Sequence, residues 1–176
     1  MKTDVVIVGA GAAGLMSAIE LVDAGLEVEI LEAGPVGGES SWAGGGILSP
    51  IYPWLYPDAL NQLAQWSNEH YPAYLDRIMQ DSGVDPQHIV SGHLIINANL
   101  DDPEIHQWAS TFPVEVKTVG AQELPELEPE LNPQLIQGLW LPTIGQVRNP
   151  RLVQALRGVA EKLGVSIHEH RPVTGI

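Results

Sequence analysis

The chain has 176 residues, 44% of them apolar, and a formal net charge of −14 from 8 basic against 22 acidic side chains, a balance that disfavours nucleic acid and anionic membranes as partners. It has no cysteine, which excludes a disulfide framework and thiolate-ligated zinc or iron–sulfur sites. The length suits one domain with a second begun, and with no apolar run near the ~18 residues of a membrane span and no signal peptide, a cytoplasmic location is expected.

The first element is the most legible. In "DVVIVGAGAAGLMSAIELVDAGLEVEILE", Val5 to Val8 make a β-branched run bounded by glycine, as a buried parallel strand requires. Leu15, Ala18, Ile19 and Val22 then recur at helical spacing, and Gly25 stands where the helix should end. Val28, Ile30 and Leu31 supply a second strand, giving a βαβ unit with a right-handed crossover.

Inside that unit lies "GAGAAG", with Ala12 and Ala13 between Gly11 and Gly14. Gly9 permits the sharp turn out of the strand, Gly11 the close approach of a pyrophosphate, and Gly14 the close packing of helix on sheet. The free amides of the helix N-terminus favour phosphate. Glu32, about 20 residues further on and beside Ala33, is placed to accept from ribose hydroxyls. Strand, turn, helix and acid agree on a dinucleotide site, which NAD or FAD could fill. A glycine turn kept only for tight packing is the plainer alternative.

The next stretch, "AGPVGGESSWAGGGILSP", is rich in small residues. Ser40 and Ser41 offer hydroxyls and amides to phosphate. Ala43 to Gly46 leave backbone amides uncovered, so that a flat ring could lie on the chain, with Ile47 and Leu48 at its edge. A flexible surface loop is the plainer reading.

A long helix is expected over "YPDALNQLAQWSNEHYPAYLDRIMQDSG", with Asp58 early, Pro72 as the place of a kink and Gly83 at the stop. Leu60, Leu63, Leu75 and Ile78 form its expected inner face, and Trp66, Tyr71 and Tyr74 read as core or interface aromatics. Asp101, Asp102 and Glu104 suit the start of a short helix. The acidic run Glu123 to Glu130 reads as a solvated connection. "NPRLVQALRGVAEKLG" predicts a helix with Leu152, Val153, Leu156, Val159, Ala160 and Leu163 inward, and "VSIHEH" and "PVTGI" predict strands. His168 and His170 alternate on one of these, but two ligands make a poor metal site and none is expected. No nucleophile–base pair is recognisable, so no catalytic residue is assigned.

The fingerprint from Gly9 to Gly14, Glu32-Ala33-Gly34 and "SSWAGGGILSP" together resemble the FAD-dependent amine and D-amino-acid oxidase family, in particular its glycine oxidase branch of bacterial thiamine biosynthesis. "SGHLIINAN" resembles a first strand of that family's substrate domain. "ELEPELNPQLIQGLWLPTIGQVRNPRLVQAL" resembles the stretch leading back to its FAD domain. The resemblance implies an α/β fold: a discontinuous Rossmann-like FAD-binding domain over residues 1–85 and 146–176, with the beginning of an α+β substrate domain over 86–145. The family's chains run further, so the chain corresponds to their N-terminal half.

The resemblance also implies FAD as cofactor. It puts Ser40, Ser41, Trp42 and Ala43 near phosphate and ribityl, Gly44, Gly45, Gly46, Ile47 and Leu48 near the isoalloxazine, and the backbone of Val173 near adenine. The implied reaction is oxidation of glycine or a similar small amine to its imine, with hydride transfer to FAD, after which molecular oxygen reoxidises the flavin and is itself reduced to hydrogen peroxide. A D-amino-acid or sarcosine oxidase or dehydrogenase is the neighbouring alternative, and a non-catalytic dinucleotide-binding fragment is the alternative of another class. Self-association is a further expectation. Arg77, Arg148, Arg151, Arg157 and Arg171 do not match the family's substrate-binding arginine.

Overall fold

A computed structural model describes residues 3–96 and 98–175; Asn97, in the expected "SGHLIINAN" strand, and Ile176, at the end of "PVTGI", lie outside the described residues. The chain forms two compact units. The first comprises the described residues of Met1–Gly46, Pro72–His88 and Val147–Ile176, and the second comprises those of Ile47–Tyr71 and Ile89–Gln146. Residues 47–71 thus pack with the second unit, and the division passes at Pro72, inside a helix.

In the first unit, β1 (Val5–Val8), α1 (Ala12–Asp23) and β2 (Val28–Leu31) follow one another as the hydrophobic period predicts. The two strands pair in parallel, Val5 opposite Val28 and Val8 opposite Leu31. The third strand, Ser166–His168 (β8), arrives from the far end of the chain and pairs in parallel with β2, so the order is β1-β2-β8. The helix Asn149–Lys162 (α6) leads into it and packs on α1. Leu15, Ala18, Ile19, Ile30, Leu156 and Val159 are buried here, as alternation and the 3.6 period require. On the other face, Val6 and Val8 remain 52% and 62% exposed. Parallel sheets are ordinarily covered on both faces; among the described residues, helices cover one face of this one.

The second unit holds an antiparallel sheet of order β4-β6-β5, from His93–Ile95 (β4), Lys117–Gly120 (β5) and Gln137–Leu141 (β6). Ile89–Val90 (β3) and Gly145–Gln146 (β7) make a separate two-stranded ladder. The short helix Pro103–Thr111 (α4) is capped as its sequence predicts, with Asp102 Oδ1 accepting from the Glu104 N–H at 3.0 Å. Ile105, Trp108 and Phe112 of this segment bury against Ile95, Leu139, Leu141 and Ile144.

Several expectations need correction. The long helix exists as α3 (Asp58–Ser82), and Leu75 and Ile78 are buried, but Leu60 and Leu63 are 39% and 61% exposed. Helical period locates an apolar stripe but not where along the helix a partner lies against it. Trp66 is also exposed and stacks on His70 one turn further on, with ring centroids 4.1 Å apart. Within the acidic run, Leu124–Leu127 forms a single helical turn (α5) and Leu124 is buried, so the run is not wholly a solvated connection. Pro172–Gly175 form no strand, since no described neighbour offers them a ladder.

Candidate cofactor site

The site lies where β1 and β2 end and α1 begins, all within the first unit. Gly9 has φ +102°, the left-handed turn expected for it. A Cβ on Gly14 would run into the carbonyl oxygen of Gly9, so α1 can lie this close to the strand only with glycine there. Leu15 is the first residue of α1 whose N–H reaches a carbonyl of the same turn, that of Gly11 at 2.9 Å. The amides ahead of it at the helix mouth, on Ala12, Ala13 and Gly14, have no carbonyl to reach within the helix.

Ser41 sits in that mouth. Its Oγ accepts from the Ala12 N–H at 2.9 Å, and a Cβ on Gly11 would come within 2.9 Å of the same oxygen. The hydroxyl therefore occupies the space that the glycine leaves free. Ser41 belongs to α2 (Ser40–Ala43), a single turn inside what the sequence shows only as a small-residue loop. Ser40, Trp42 and Ala43 are on the same turn and are exposed.

Glu32 follows β2. Its carboxylate accepts from two backbone amides, Ala10 at 2.6 Å through Oε2 and Gly34 at 2.8 Å through Oε1. These bonds, Gly34 foremost and then Ala10, hold its pKa below the usual glutamate range against a smaller opposing effect of burial. A charged carboxylate is thus pinned beside the glycine turn, each oxygen keeping a lone pair for a further donor. Ala33, next in the chain, is exposed.

The three glycines of the loop separate on inspection. A Cβ on Gly44 would meet the Asn149 side chain, and one on Gly46 would meet the carbonyl of Val147. Gly46 also has φ +76°, and its carbonyl accepts from the Val147 N–H at 2.9 Å. Gly46 is therefore required by packing against the backbone just ahead of α6, whereas at Gly44 the contact is with the movable end of the Asn149 side chain. A Cβ on Gly45 would find nothing within 4 Å. Of the three, Gly45 alone has free space where a side chain would begin. Ile47 belongs to the second unit, where it bridges Gln146. Val173 lies two residues beyond Arg171, whose N–H donates to the Glu32 carbonyl at 2.8 Å.

Residues that sequence reasoning missed complete the frame. Glu169 Oε1 accepts from the Val36 N–H at 2.8 Å, and Arg157 pairs with Glu169 at 3.4 Å. The only sequence signal was the alternation in "HEH", which is weighed above for metal. Among the described residues no three His, Asp or Glu gather as metal ligands, and no helix is long and apolar enough to cross a membrane.

The family model for FAD dependent oxidoreductases matches residues 4–176. The chain belongs to that FAD-dependent oxidoreductase family. It is 40% identical to a glycine oxidase of Pseudomonas aeruginosa over 99% of its own length and 48% of the relative's. It is 37% identical to a glycine oxidase of Pseudomonas putida, with the same shares covered. The solved structure of a Bacillus cereus glycine oxidase superposes with a TM-score of 0.83 at 29% identity, over 96% of this chain and 46% of that one. The chain thus spans about half the length of the curated relatives it matches. As an FAD-dependent oxidoreductase chain it has the mixed α/β, Rossmann-like architecture of that family, and the family's cofactor is FAD.

Proposed function

We propose that the full-length protein is a flavoprotein oxidase acting on glycine or a similar small amine, and that residues 3–46 with 147–175 form most of its cofactor frame. The second unit then supplies the beginning of the substrate domain. The observation that carries this reading is the Glu32 carboxylate, fixed by the Ala10 and Gly34 amides beside the glycine turn. Glycine oxidase relatives at 40% and 37% identity support the substrate class. A place in thiamine biosynthesis rests on the sequence resemblance and on a 29% identical relative named as the bifunctional protein ThiO/ThiG.

The residues present fit FAD. Glu32 can accept from the ribose hydroxyls. The first-turn amides of α1 can hold pyrophosphate, and the Ser41 hydroxyl can donate to the same oxygens while keeping the Ala12 N–H. Gly45 leaves room for a flat ring to meet the backbone. The flavin, when bound, supplies the two-electron chemistry and its reoxidation by oxygen. The chain's own residues bind and orient it; no side chain here is assigned a proton-transfer step. The competing reading, a dinucleotide-binding module without catalysis, predicts cofactor affinity without turnover.

Two measurements on the full-length protein test the proposal. Titration with FAD should show that Glu32→Ala binds about ten- to a hundredfold more weakly, the worth of one hydrogen bond to a charged group. Unchanged affinity would remove Glu32 from the site. A peroxide-coupled assay with glycine, sarcosine and D-alanine should give turnover with at least one of them. Tight FAD binding with no peroxide from any would favour the binding module.

A further inference from the structure

We propose that Glu169, anchored by Arg157, is a positioning residue for Glu32, holding the 32–36 loop so that the Glu32 carboxylate faces the cofactor's ribose; this rests on the FAD reading above. The connection is continuous. Glu169 Oε1 takes the Val36 N–H at 2.8 Å, and the two residues lie 133 positions apart in the chain. The Arg157 guanidinium reaches both oxygens of that carboxylate at 3.4 Å, and its Nε donates to Glu161 Oε1 at 2.8 Å, so the guanidinium is fixed from its own helix. Backbone bonds tie the same two segments ahead of Val36. The Glu32 N–H donates to the His168 carbonyl at 3.0 Å, the Arg171 N–H to the Glu32 carbonyl at 2.8 Å, and the His170 N–H to the Gly34 carbonyl at 3.4 Å.

His170 adopts φ +57°, uncommon for a side chain other than glycine, and this turn carries the chain from β8 back along the loop. Gly37, just past Val36, donates its N–H to the Ala10 carbonyl at 3.0 Å, and a Cβ on it would run into Val153 of α6. The loop is therefore gripped between the glycine turn and the α6–β8 segment. Glu169 is the one side chain of that segment seen to take one of the loop's amides.

Glu169 also acts on Glu32 through space. Its negative charge opposes ionisation of Glu32, while the amides that its hold on the loop keeps in place favour it. The titratable and charged groups around Glu169 are Arg157, Glu161, His170 and Glu32. The two effects have opposite signs, so two substitutions separate them. Glu169→Gln keeps an oxygen for the Val36 N–H and removes the charge. Glu169→Ala removes both.

The test is carbon-13 NMR titration of the Glu32 carboxyl in the full-length apo-protein, alongside FAD titration. In Glu169→Gln, Glu32 should titrate at or below its wild-type position and FAD affinity should stay close to wild type. In Glu169→Ala, Glu32 should titrate higher, towards an ordinary glutamate, although a repelling charge has gone, and FAD should bind about tenfold more weakly. Arg157→Gln removes the anchor of the Glu169 carboxylate and should speed amide hydrogen exchange at Val36; loss of a positive charge raises a nearby carboxylate by itself, so this variant is read by exchange and not by the Glu32 titration. It carries the test if the alanine variant does not fold. A Glu32 titration that falls or stays in place in Glu169→Ala or, where that variant does not fold, unchanged Val36 exchange in Arg157→Gln would overturn the positioning role. If instead Glu32→Ala leaves FAD affinity unchanged, the cofactor reading fails, and the NMR result still decides whether Glu169 holds the loop.

Discussion

Adding one methyl group at Gly45 or at Gly46 separates glycine needed by the chain from glycine needed by a ligand. At Gly46 the backbone has φ +76°, where an L side chain costs about 1–2 kcal/mol. The new Cβ would also meet the carbonyl of Val147, whose N–H donates to Gly46 O at 2.9 Å. Losing that bond adds about 0.5–1.5 kcal/mol. Gly46→Ala should therefore lower the stability of the apo-protein by about 1.5–3.5 kcal/mol. Gly45 lies outside the positive-φ residues, and a Cβ there meets nothing within 4 Å. Gly45→Ala should leave the apo-protein as stable as before, or about 0.4–1 kcal/mol more so through the unfolded chain. If the flavin ring approaches the backbone there, the same methyl group overpacks the complex by about 1–3 kcal/mol, roughly 5- to 150-fold in affinity. Urea unfolding of the apo-protein and FAD titration of each variant read the two effects separately. Wild-type FAD affinity in Gly45→Ala would refute the idea that a ring lies on this loop. An unchanged urea midpoint in Gly46→Ala would refute the packing argument at Val147.

The depressed pKa of Glu32 makes stability depend on pH with a definite sign. A folded value below the unfolded one, near 4.3, stabilises the protein fully above about pH 5 and is lost as pH falls through the folded value. The stability gap between wild type and Glu32→Ala should therefore close on acidification, which circular dichroism across an acid series will show; a gap constant down to pH 2 would contradict it. Gly14→Ala should prevent α1 from seating on β1 because its Cβ meets the Gly9 carbonyl, and loss of soluble protein or a severely lowered melting temperature is expected. Asp102→Ala removes the cap on the Glu104 N–H and should cost about 0.5–2 kcal/mol, read from the urea midpoint, with FAD affinity unchanged.

Much of the first unit was legible because its signals are local. A β-branched run ending at glycine, an apolar stripe at helical spacing and a second strand occupy Val5 to Leu31, and each residue's neighbours in sequence are also its neighbours in space. The same holds for the Asp102 cap and for α6, whose buried Leu152, Leu156 and Val159 follow the 3.6 period. The glycine turn and Glu32 could be paired on paper because about 20 residues of a βαβ unit bring the two strand ends side by side. Only the tertiary structure could add that the Glu32 carboxylate is already held by Ala10 and Gly34. It also decided that β8 pairs with β2 from the far end of the chain, and that the Glu169 carboxylate holds the Val36 amide. The loop glycines show the same division. Composition marks Gly44, Gly45 and Gly46 as alike, yet the Val147 carbonyl requires Gly46, Gly44 faces the end of the Asn149 side chain, and nothing in the described chain requires Gly45. Leu60 and Leu63 sit on the stripe their period predicts, but a stripe is buried only where another element meets it. Periodicity records which face of an element is apolar. Which surface that face meets depends on contacts distant in sequence, whose partners no local pattern encodes.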